Sequence, residues 1–341
     1  MKTRVSPIHE NSLREAAEIL QQGGIVGMPT ETVYGLAANA FDAQAVLGIF
    51  AAKDRPADNP LIVHIAREAD LKEIIRGEIT PEQRALMDAF WPGPLTLIFD
   101  KSDKIPVEVT AGLDTVGVRM PSHSGARALI RACGLPLAAP SANRSGKPSP
   151  TTAQRTLDDM EGRIPLILDG GDCQVGLEST VIDARRGVAH ILRPGGITPE
   201  MVKEALVDVE LDQALMRPLE KGERPASPGM KYKHYAPVGE MTIYRGDMDT
   251  VACRMCAEYD ACEEKAVILC LAQALPVCGE RNVICLGSGA EEAAHRLFDA
   301  LREADDMGAK KIFAQAVDMS GVGLAVMNRM ARAAAFRIVE A

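Results

Sequence analysis

The stretch GGIVGMPTETVYGLAANA, residues 23–40, starts where a predicted helix ends and contains a predicted buried strand. Apolar side chains recur at helical spacing over residues 12–22, and Gly23-Gly24 then ends that helix. The run IVGMP is apolar and bounded by glycine and proline, as expected of a buried strand. We predict that TETVYGLAANA, residues 30–40, is the loop that leaves this strand. Polar residues directly after a buried strand are well placed for function.

The remainder of the first half contains further strand patterns, and several follow one another without a predicted helix. A second helix is predicted over residues 42–52, and the last two strands are typical of a hairpin turned at Arg186-Gly187. This order favours an α+β domain over strictly alternating βαβ units. The predicted strands are LIVHI (61–65), TLIF (96–99), VGVRMP (116–121), LPLAAPSAN (135–143), LILDGG (166–171), STVIDAR (179–185) and AHILRPG (189–195).

Composition divides the chain into three parts. We predict a first domain over residues 1–207 and a linker over residues 208–239, which is rich in Pro, Gly, Lys and Glu and lacks apolar periodicity. Such a long irregular segment is either only a linker or also a lid over an active site, and the pattern leaves both open. Residues 240–341 alternate strands with helices, which predicts a small α/β domain with a largely parallel sheet.

The charge balance argues against a protein that holds nucleic acid mainly by neutralising phosphates. The net charge is −9, and residues 1–200 carry 21 basic against 25 acidic residues. A nucleic-acid surface of that kind needs a basic excess. Aromatic residues make up 4% of the chain, so stacking platforms for single strands are not expected. A local basic pocket is compatible with both observations.

The sequence predicts a cytoplasmic protein without a membrane partner. The N-terminus lacks the apolar core of a secretory signal, and no apolar run approaches the length of a membrane span. The one C-x-x-C pair, Cys253 and Cys256, has no second pair at zinc-finger spacing. We interpret both as buried or partly buried helix cysteines, and a redox or metal-binding role is the less favoured alternative. Reduced thiols then fit a cytoplasmic location.

Phosphate-binding motifs are absent or weak. The GKP at residues 146–148 lacks the upstream glycines and the following Ser or Thr of a P-loop. GSGAEE (287–292) holds two of the three dinucleotide glycines, and GVGLAV (321–326) fails in the same way. Any nucleotide site must therefore be assembled from scattered side chains.

The segment KDRPADNP, residues 53–60, is a candidate for holding phosphate. Its Lys53 and Arg55 lie in a loop that its prolines stiffen, although a solvated surface loop can have the same composition. Ser141 and Asn143 come at the end of an apolar strand, where loops often carry function. These two segments offer cationic and polar groups to one ligand if the fold brings them together.

Other polar side chains interrupt or follow apolar strands. Arg119 lies inside VGVRMP, so it either faces solvent or is buried with an anionic partner. Each such residue alone is most often structural, but here they recur beside Pro or Gly. With no Ser-His-Asp order, paired acids or metal-ligand cluster, the set favours phosphoryl or nucleotidyl transfer, in which the enzyme positions reactants and stabilises charge. The others are Thr30 and Thr32 flanking Glu31, His64 in LIVHI, and Arg193 before Pro-Gly-Gly.

Several segments together resemble the threonylcarbamoyl-AMP synthase family and its YrdC-type domain. SPGMKYKHYAP and GLAVMNRMARAA further on resemble the two-domain form of that family, whereas residues 245–310 carry less of its signature. The implied fold is an α+β YrdC-type domain, a twisted mixed sheet with flanking helices, followed by a small α/β Rossmann-like domain. The core segments are GGIVGMPTETVYGLAANA, KDRPADNPLIVHI, FWPGPLTLIF, GLDTVGVRMP, PSANRSGKPSPT, LESTVID and LRPGGIT.

The resemblance implies a reaction and its site. ATP, L-threonine and bicarbonate would give L-threonylcarbamoyl adenylate and pyrophosphate, for threonylcarbamoyl modification of tRNA adenosine. Mg²⁺ is expected to come with ATP rather than from a protein metal site, since no Asp/Glu cage is visible. The implied threonine-binding residues are Thr32, His64, Arg119 and Ser179. The implied ATP-binding residues are Lys53, Arg55, Asn59, Thr115, Ser141, Asn143, Arg193 and, from the linker, Tyr235, with Lys53 and Arg55 also catalytic.

Two alternatives stay open. A YrdC-like domain could bind double-stranded RNA or tRNA through a concave basic surface, although the charge balance counts against this as its main role. The domain could also be a carbamoyl-transfer unit like those of hydrogenase-maturation proteins, whose acylphosphatase and zinc-finger segments are not evident here. For a synthase, the partners beyond the substrates would be tRNA or a downstream threonylcarbamoyl transferase.

Overall fold

The fold is that of a computed structural model, which describes residues 1–205, 208–212, 215 and 235–341. The chain forms two compact units. Among the described residues, the first unit holds 1–145, 149–205, 208–212 and 215, and the second holds 146–148 and 235–341. Most of the predicted linker lies outside the described residues, so the lid stays a prediction.

The strands of the first unit form a mixed sheet, as the resemblance implies. They are β1 (Arg4–Pro7), β2 (Val26–Met28), β3 (Gly35–Asn39), β4 (Ile62–His64), β5 (Leu95–Asp100), β6 (Thr115–Arg119), β7 (Leu137–Ala138), β8 (Leu166–Asp169), β9 (Thr180–Asp183), β10 (Ala189–Arg193) and β11 (Val209–Leu211). Hydrogen bonds order them β1-β8-β2-β3-β7-β4-β6-β5-β9-β10-β11. Parallel neighbours such as β4 and β6 occur beside antiparallel ones such as β5 and β6.

Helices flank this sheet, and their ends follow local capping rules. The second one begins after Asp42, whose carboxylate accepts hydrogen bonds from the Gln44 and Ala45 amides, and it ends at Lys53. Asp54 then adopts a left-handed backbone, with φ of 51°, which stops the helix. The helices are α1 (Glu10–Gln21), α2 (Ala43–Lys53), α3 (Leu71–Ile74), α4 (Pro81–Phe90), α5 (Val107–Thr110), α6 (Ser124–Cys133), α7 (Ala153–Met160) and α8 (Pro199–Ala205).

One expectation about this unit was wrong. The predicted loop of residues 30–40 contains strand β3, because Gly35–Asn39 pairs with β2 on one side and β7 on the other. The sequence GLAAN has little strand propensity of its own, so pairing with neighbours decides its conformation. Several strands follow one another without a helix, as expected, namely β2–β3 and β8–β9–β10, whereas helices such as α4 and α6 separate others. The predicted hairpin is confirmed, since β9 and β10 pair antiparallel.

The register of the central strands places polar side chains on one face of the sheet. His64 on β4 and Thr96 on β5 both lie opposite Arg119 on β6. Because side chains alternate along a strand, Thr115 and Gly117 share the face of Arg119. The alternate residues of the same strands, such as Val63, Leu97, Val116 and Val118, are buried in the apolar core. One face thus packs and the other carries polar groups.

The second unit is a parallel α/β sheet, as predicted from the alternation of its elements. Hydrogen bonds order its strands β14-β13-β15-β12-β16, and all neighbouring pairs are parallel. The strands are β12 (Glu240–Arg245), β13 (Ala266–Cys270), β14 (Val283–Cys285), β15 (Lys311–Gln315) and β16 (Ile338–Glu340). The helices are α9 (Met248–Asp260), α10 (Leu275–Cys278), α11 (Ala290–Asp306) and α12 (Gly323–Ala333).

The cysteines are all free thiols in this structure. Both members of the C-x-x-C pair lie on α9, but only Cys256 is buried, whereas Cys253 is exposed. The interpretation of Cys253 as buried or partly buried was therefore wrong, because it faces solvent while Cys256 packs against the sheet. Within the described residues, no helix has both the length and the apolar character needed to cross a bilayer.

Candidate functional site

Lys53 ties the KDRPADNP segment to the loop after β7. Its side chain is 2% exposed although it ends a helix beside a polar loop. The ammonium donates hydrogen bonds to the main-chain carbonyl oxygens of Ser141 and of Asn143, the latter at 2.6 Å. In return, the Ser145 amide donates to the Lys53 carbonyl oxygen at 3.0 Å. The structure thus brings together two motifs that we predicted separately. They are the K-x-R motif of Lys53 and Arg55 and the S-x-N motif of Ser141 and Asn143.

Exposed charges join the same two loops. Asp54 forms ion pairs with Arg144 at 2.9 Å and with Arg163 at 3.0 Å. Hydrogen bonds from these two arginines lower the pKa of the Asp54 carboxyl. Because all three side chains are well exposed or partly exposed, this network contributes little to stability.

Arg55 and Asn59 lie together in the stiff part of the segment. The Arg55 guanidinium lies 5.7 Å from the centre of the Phe50 ring, and its Nη2 donates to the Asn59 carbonyl oxygen at 3.4 Å. Asn59 is fully buried, and neither its amide nitrogen nor its amide oxygen has a hydrogen-bond partner among the described residues. A buried amide with both groups unpaired is costly unless a ligand satisfies it. This observation fits the predicted role of Asn59 in binding ATP.

The S-x-N motif is organised by its own hydrogen bonds. The Ser141 hydroxyl donates to the Asn143 side-chain oxygen at 2.5 Å, and the Asn143 amide nitrogen donates to the Arg144 carbonyl oxygen at 2.8 Å. Gly35 forms an isolated antiparallel bridge with Ser141. The segment that carries Thr32 therefore runs directly into the strand that supports this loop.

Arg119 is buried with an anionic partner, one of the two options that the sequence left open. Its Nη2 lies 2.7 Å from Oε1 of Glu31 in an ion pair whose side chains are 4% and 3% exposed. Its Nη1 donates to the Thr32 hydroxyl at 2.8 Å, and its Nε donates to the Gly93 carbonyl oxygen at 3.3 Å. Two segments far apart in sequence, residues 31–32 and Gly93, therefore fix the direction of the guanidinium.

Glu31 keeps its negative charge in this buried place. Burial by itself raises the pKa of its carboxyl, but the charge and N–H groups of Arg119 and the backbone amides of Ser122 and Glu31 together outweigh it. The pKa of Glu31 therefore lies below its ordinary value, and the group is ionised at neutral pH. We did not include Glu31 among the site residues, although the flanking Thr30 and Thr32 marked its position.

His64 is a neutral imidazole inside this cluster. It is buried on β4, and one ring nitrogen lies 3.2 Å from the Ile62 carbonyl oxygen. Burial is the main cause that lowers the pKa of His64 to about 3, and the charge of Arg119 acts in the same direction. At neutral pH the ring can offer a donor and an acceptor but no charge.

Hydroxyl groups complete the wall around Arg119. The Thr30 and Thr32 hydroxyls are 2.9 Å apart, and the Thr30 hydroxyl also donates to the Val33 carbonyl oxygen at 2.6 Å. On the neighbouring strands, the Thr96 and Ser179 hydroxyls are 2.7 Å apart. Thr96 was missed in the sequence, where it is a single threonine in an apolar strand and so gives no signal.

Arg193 joins the predicted ATP side to the predicted threonine side. Its Nε donates to the Ser179 carbonyl oxygen and its Nη2 donates to the Ser179 hydroxyl, both at 3.0 Å. The resemblance implies Ser179 for threonine and Arg193 for ATP, so their contact would place the two predicted subsites side by side. Thr115 lies on the same sheet face and lines a small recess of about 20 Å³ with Thr96 and Gly117.

Tyr235 lies in the second unit, where its ring is close to Phe298 and Arg329. Its ring stacks on Phe298 of α11, with centroids 5.1 Å apart, and the Arg329 guanidinium lies 5.8 Å from its centre. Tyr235 is buried and has a left-handed backbone, with φ of 62°. The resemblance would also place Ser227 of the linker near the ligand, and that residue lies outside the described residues.

The assembled groups suit charge stabilisation rather than covalent catalysis. The first unit offers the cations Lys53, Arg55, Arg119 and Arg193 together with hydroxyl, amide and imidazole groups. In the described part of the chain, no group of three or more His, Cys, Asp or Glu side chains could hold a metal ion.

Comparison with known proteins assigns the chain to a family. Residues 18–195 match the family model Sua5_yciO_yrdC, described as telomere recombination, and residues 197–335 match the threonylcarbamoyl-AMP synthase C-terminal domain. A threonylcarbamoyl-AMP synthase of Pyrococcus abyssi is 44% identical over 98% of this chain and 97% of its own length. One of Bacillus subtilis is 43% identical over 97% of this chain and 95% of its own length.

A solved structure supports the assignment in three dimensions. The crystal structure of Pyrococcus abyssi Sua5 complexed with L-threonine superposes with a TM-score of 0.92 at 42% identity. The match covers all of this chain and 99% of the other. The two matched domains and their order agree with the family expected from the sequence. The chain is an enzyme that belongs to the threonylcarbamoyl-AMP synthase family.

Proposed function

We propose that this protein is an L-threonylcarbamoyladenylate synthase, a nucleotidyltransferase that acts in the modification of tRNA adenosine. Its substrates would be L-threonine, bicarbonate and ATP, and its products threonylcarbamoyl-AMP and pyrophosphate. The observation that carries the proposal is the identity of 43–44% to two proteins of that name over at least 97% of the chain. The relative from Pyrococcus abyssi that was crystallised with L-threonine adds support for the amino acid substrate.

The cluster around Arg119 is the proposed threonine site. Its guanidinium would form a bidentate pair with the threonine carboxylate, which suits the planar fork of arginine. The hydroxyls of Thr32 and Ser179 and the neutral ring of His64 offer hydrogen bonds to the substrate hydroxyl. A site that pairs a substrate hydroxyl rejects analogues that lack it, because its own polar groups would stay unpaired.

The chemistry then proceeds in two steps. The threonine ammonium first loses its proton to solvent, and the free amine then condenses with bicarbonate to a carbamate with release of water. A carbamate oxygen attacks the α-phosphorus of ATP, and the bond between the α-phosphorus and the bridging oxygen breaks to release pyrophosphate. The enzyme needs no covalent intermediate for either step, so its task is to align the carbamate and to stabilise phosphate charge.

The K-x-R and S-x-N loops are the proposed ATP site. Arg55 would neutralise phosphate charge, while Lys53 holds the two loops together through carbonyl groups and adds positive charge. Asn59 would place its buried, unpaired amide on the nucleotide. Arg193 would stabilise the departing pyrophosphate from the wall that it shares with Ser179. Mg²⁺ bound to the phosphates would supply further charge neutralisation when present.

The product is a mixed anhydride, which must be consumed by a transferase that moves its threonylcarbamoyl group to tRNA. We therefore propose a downstream threonylcarbamoyl transferase as the functional partner, with tRNA as its substrate. The cytoplasmic location stays a prediction from the sequence.

Pyrophosphate release from ATP tests the proposal directly. We expect release only when L-threonine, bicarbonate and Mg²⁺ are all present, and without any RNA. Omission of each component in turn, with EDTA as the metal-free arm, gives the controls. Release that does not depend on threonine would contradict the synthase, and tight RNA binding without any release would favour the RNA-binding alternative.

A further inference from the structure

Glu31 is the buried charge that the proposed mechanism leaves unused. Its carboxylate is 3% exposed and lies 2.7 Å from Nη2 of Arg119. The Arg119 guanidinium and the backbone amides of Ser122 and Glu31 approach the carboxylate, but among the described residues none of these contacts has good hydrogen-bond geometry, and Nη2 of Arg119 donates no well-formed hydrogen bond. Glu31 and Arg119 therefore form an ion pair, and both side chains can still form further hydrogen bonds.

A buried ion pair of this kind is difficult to explain by stability. Taking two charges out of water costs several kcal/mol for each ion, and apolar residues of similar volume often stabilise a fold as well or better. A carboxylate can accept about four hydrogen bonds, so Glu31 is under-satisfied where it stands. Such groups call for a functional explanation.

The charges of this pair complement those of the proposed ligand. An α-amino acid carries an ammonium and a carboxylate on one carbon atom. Arg119 and Glu31 place a cation and an anion side by side in a buried position, next to the Thr32 hydroxyl. A neutral ligand, or one with only a carboxylate, would satisfy just one member of this pair and leave the other buried and unpaired.

We propose that Glu31 is a specificity-determining residue that binds the amino group of the amino acid while Arg119 binds its carboxylate. This inference rests on the proposed function, since it assigns a role in the same threonine site. The amine keeps its contact with Glu31 until it reacts. Once the amine has become a carbamate, its negative charge is repelled by the Glu31 carboxylate. This repulsion favours movement of the carbamate toward the cationic phosphate site.

Binding of two ligands that differ only in the amino group tests this role. L-threonine and (R)-3-hydroxybutyrate share the carboxylate and the hydroxyl, but the second lacks the amine. We would measure both affinities by titration calorimetry without ATP, for the full-length protein and for Glu31→Gln, Glu31→Asp and Arg119→Lys. Thermal unfolding of each variant reports whether it is folded.

The wild-type protein should bind L-threonine roughly 10- to 100-fold more tightly than 3-hydroxybutyrate, which is the range expected for a hydrogen bond to a charged group. Glu31→Gln should remove most of this preference by weakening threonine alone, and Glu31→Asp should restore part of it. Arg119→Lys should weaken both ligands to a similar extent, because both carry the carboxylate.

Two results would overturn the inference. Equal affinity of the wild-type protein for both ligands would exclude recognition of the amine, even if no Glu31 variant folds. A similar loss of both ligands in Glu31→Gln would show that Glu31 acts only by orienting Arg119. Absence of threonine binding to the wild-type protein would instead contradict the proposed function itself.

Discussion

Lys53 and Asn143 lie 90 residues apart in the sequence, and the Lys53 ammonium donates a hydrogen bond of 2.6 Å to the Asn143 carbonyl oxygen. It also donates to the Ser141 carbonyl oxygen. Main-chain carbonyl groups thus hold a buried cation between the two loops that we assign to ATP. The same contact connects helix α2 to the loop after β7, so we expect it to contribute to both stability and activity.

Replacing Lys53 should therefore affect stability as well as activity. We expect Lys53→Met to lower the free energy of unfolding by roughly 1–3 kcal/mol, because it leaves main-chain carbonyl groups without their donor. The same variant should raise the KM for ATP. Urea unfolding and steady-state kinetics measure the two effects, and Lys53→Arg serves as the conservative comparison. An unchanged unfolding midpoint would contradict the tie between the loops.

Arg55 should affect activity with little effect on stability. Its contacts include a cation–π approach to Phe50 and a long hydrogen bond to Asn59. We expect Arg55→Ala to reduce kcat for pyrophosphate release by about 100-fold or more, as for the loss of a charge-stabilising donor. The free energy of unfolding should change by no more than about 1 kcal/mol.

A matched control for Arg55 is Arg67→Ala, which removes an exposed arginine paired with Asp70. It should leave both activity and stability nearly unchanged, because exposed ion pairs contribute little. Equal activity of the Arg55 and Arg67 variants would remove Arg55 from the proposed site.

His64 should make the fold sensitive to mild acid. Its pKa is about 3 in the folded protein, against an ordinary value of 6.5. The unfolded chain therefore binds a proton more readily, and the free energy of unfolding is highest above pH 6.5 and falls as the pH drops from 6.5 toward 3. At pH 5 this group alone should cost about 2 kcal/mol.

Urea unfolding of the wild-type protein and of His64→Gln at pH 7.5 and pH 5.0 measures this contribution. The variant should lose less stability over that interval, since glutamine does not titrate. Parallel losses in the two proteins would mean that His64 is not buried as a neutral ring.

Thr96 should support threonine binding although the sequence did not mark it. Its hydroxyl lies 2.7 Å from that of Ser179, which also accepts from Arg193. We expect Thr96→Val to raise the KM for threonine by roughly 5- to 30-fold through the loss of one buried hydrogen bond, with a smaller change in the KM for ATP. Thr96→Ser should restore binding, and an unchanged KM in Thr96→Val would restrict Thr96 to packing.

Two variants of Tyr235 distinguish a role in packing from a role in ligand binding. Because its ring is buried and stacks on Phe298, Tyr235→Ala should lower the free energy of unfolding by roughly 3–5 kcal/mol. Tyr235→Phe keeps the ring, so a rise in the KM for ATP in this variant would assign the hydroxyl to the nucleotide as predicted. Wild-type kinetics in Tyr235→Phe would leave Tyr235 with packing alone. Thermal unfolding and steady-state kinetics of the two variants provide the comparison.

Local sequence was a good guide where local physics decides the structure. Helix α2 starts at its Asp42 cap and ends at Lys53, close to the predicted residues 42–52, because capping and backbone conformation act over a few residues. The hairpin of β9 and β10 was predictable for the same reason. Strand β3 was not, since the small residues of GLAAN become a strand only through pairing with β2 and β7.

By itself the sequence determined the residue types of the site, its stiff loops and, through resemblance, the family. Which groups meet was decided only by the tertiary structure. Arg119 has Glu31 as its partner across 88 positions of sequence, and Ser179 meets Thr96 across 83. Pairing of β5 with both β6 and β9 brings Thr96 beside Arg119 and beside the residue that precedes β9. Long-range pairing of this kind leaves no local pattern, and for that reason the buried charge beside Arg119 became visible only in three dimensions.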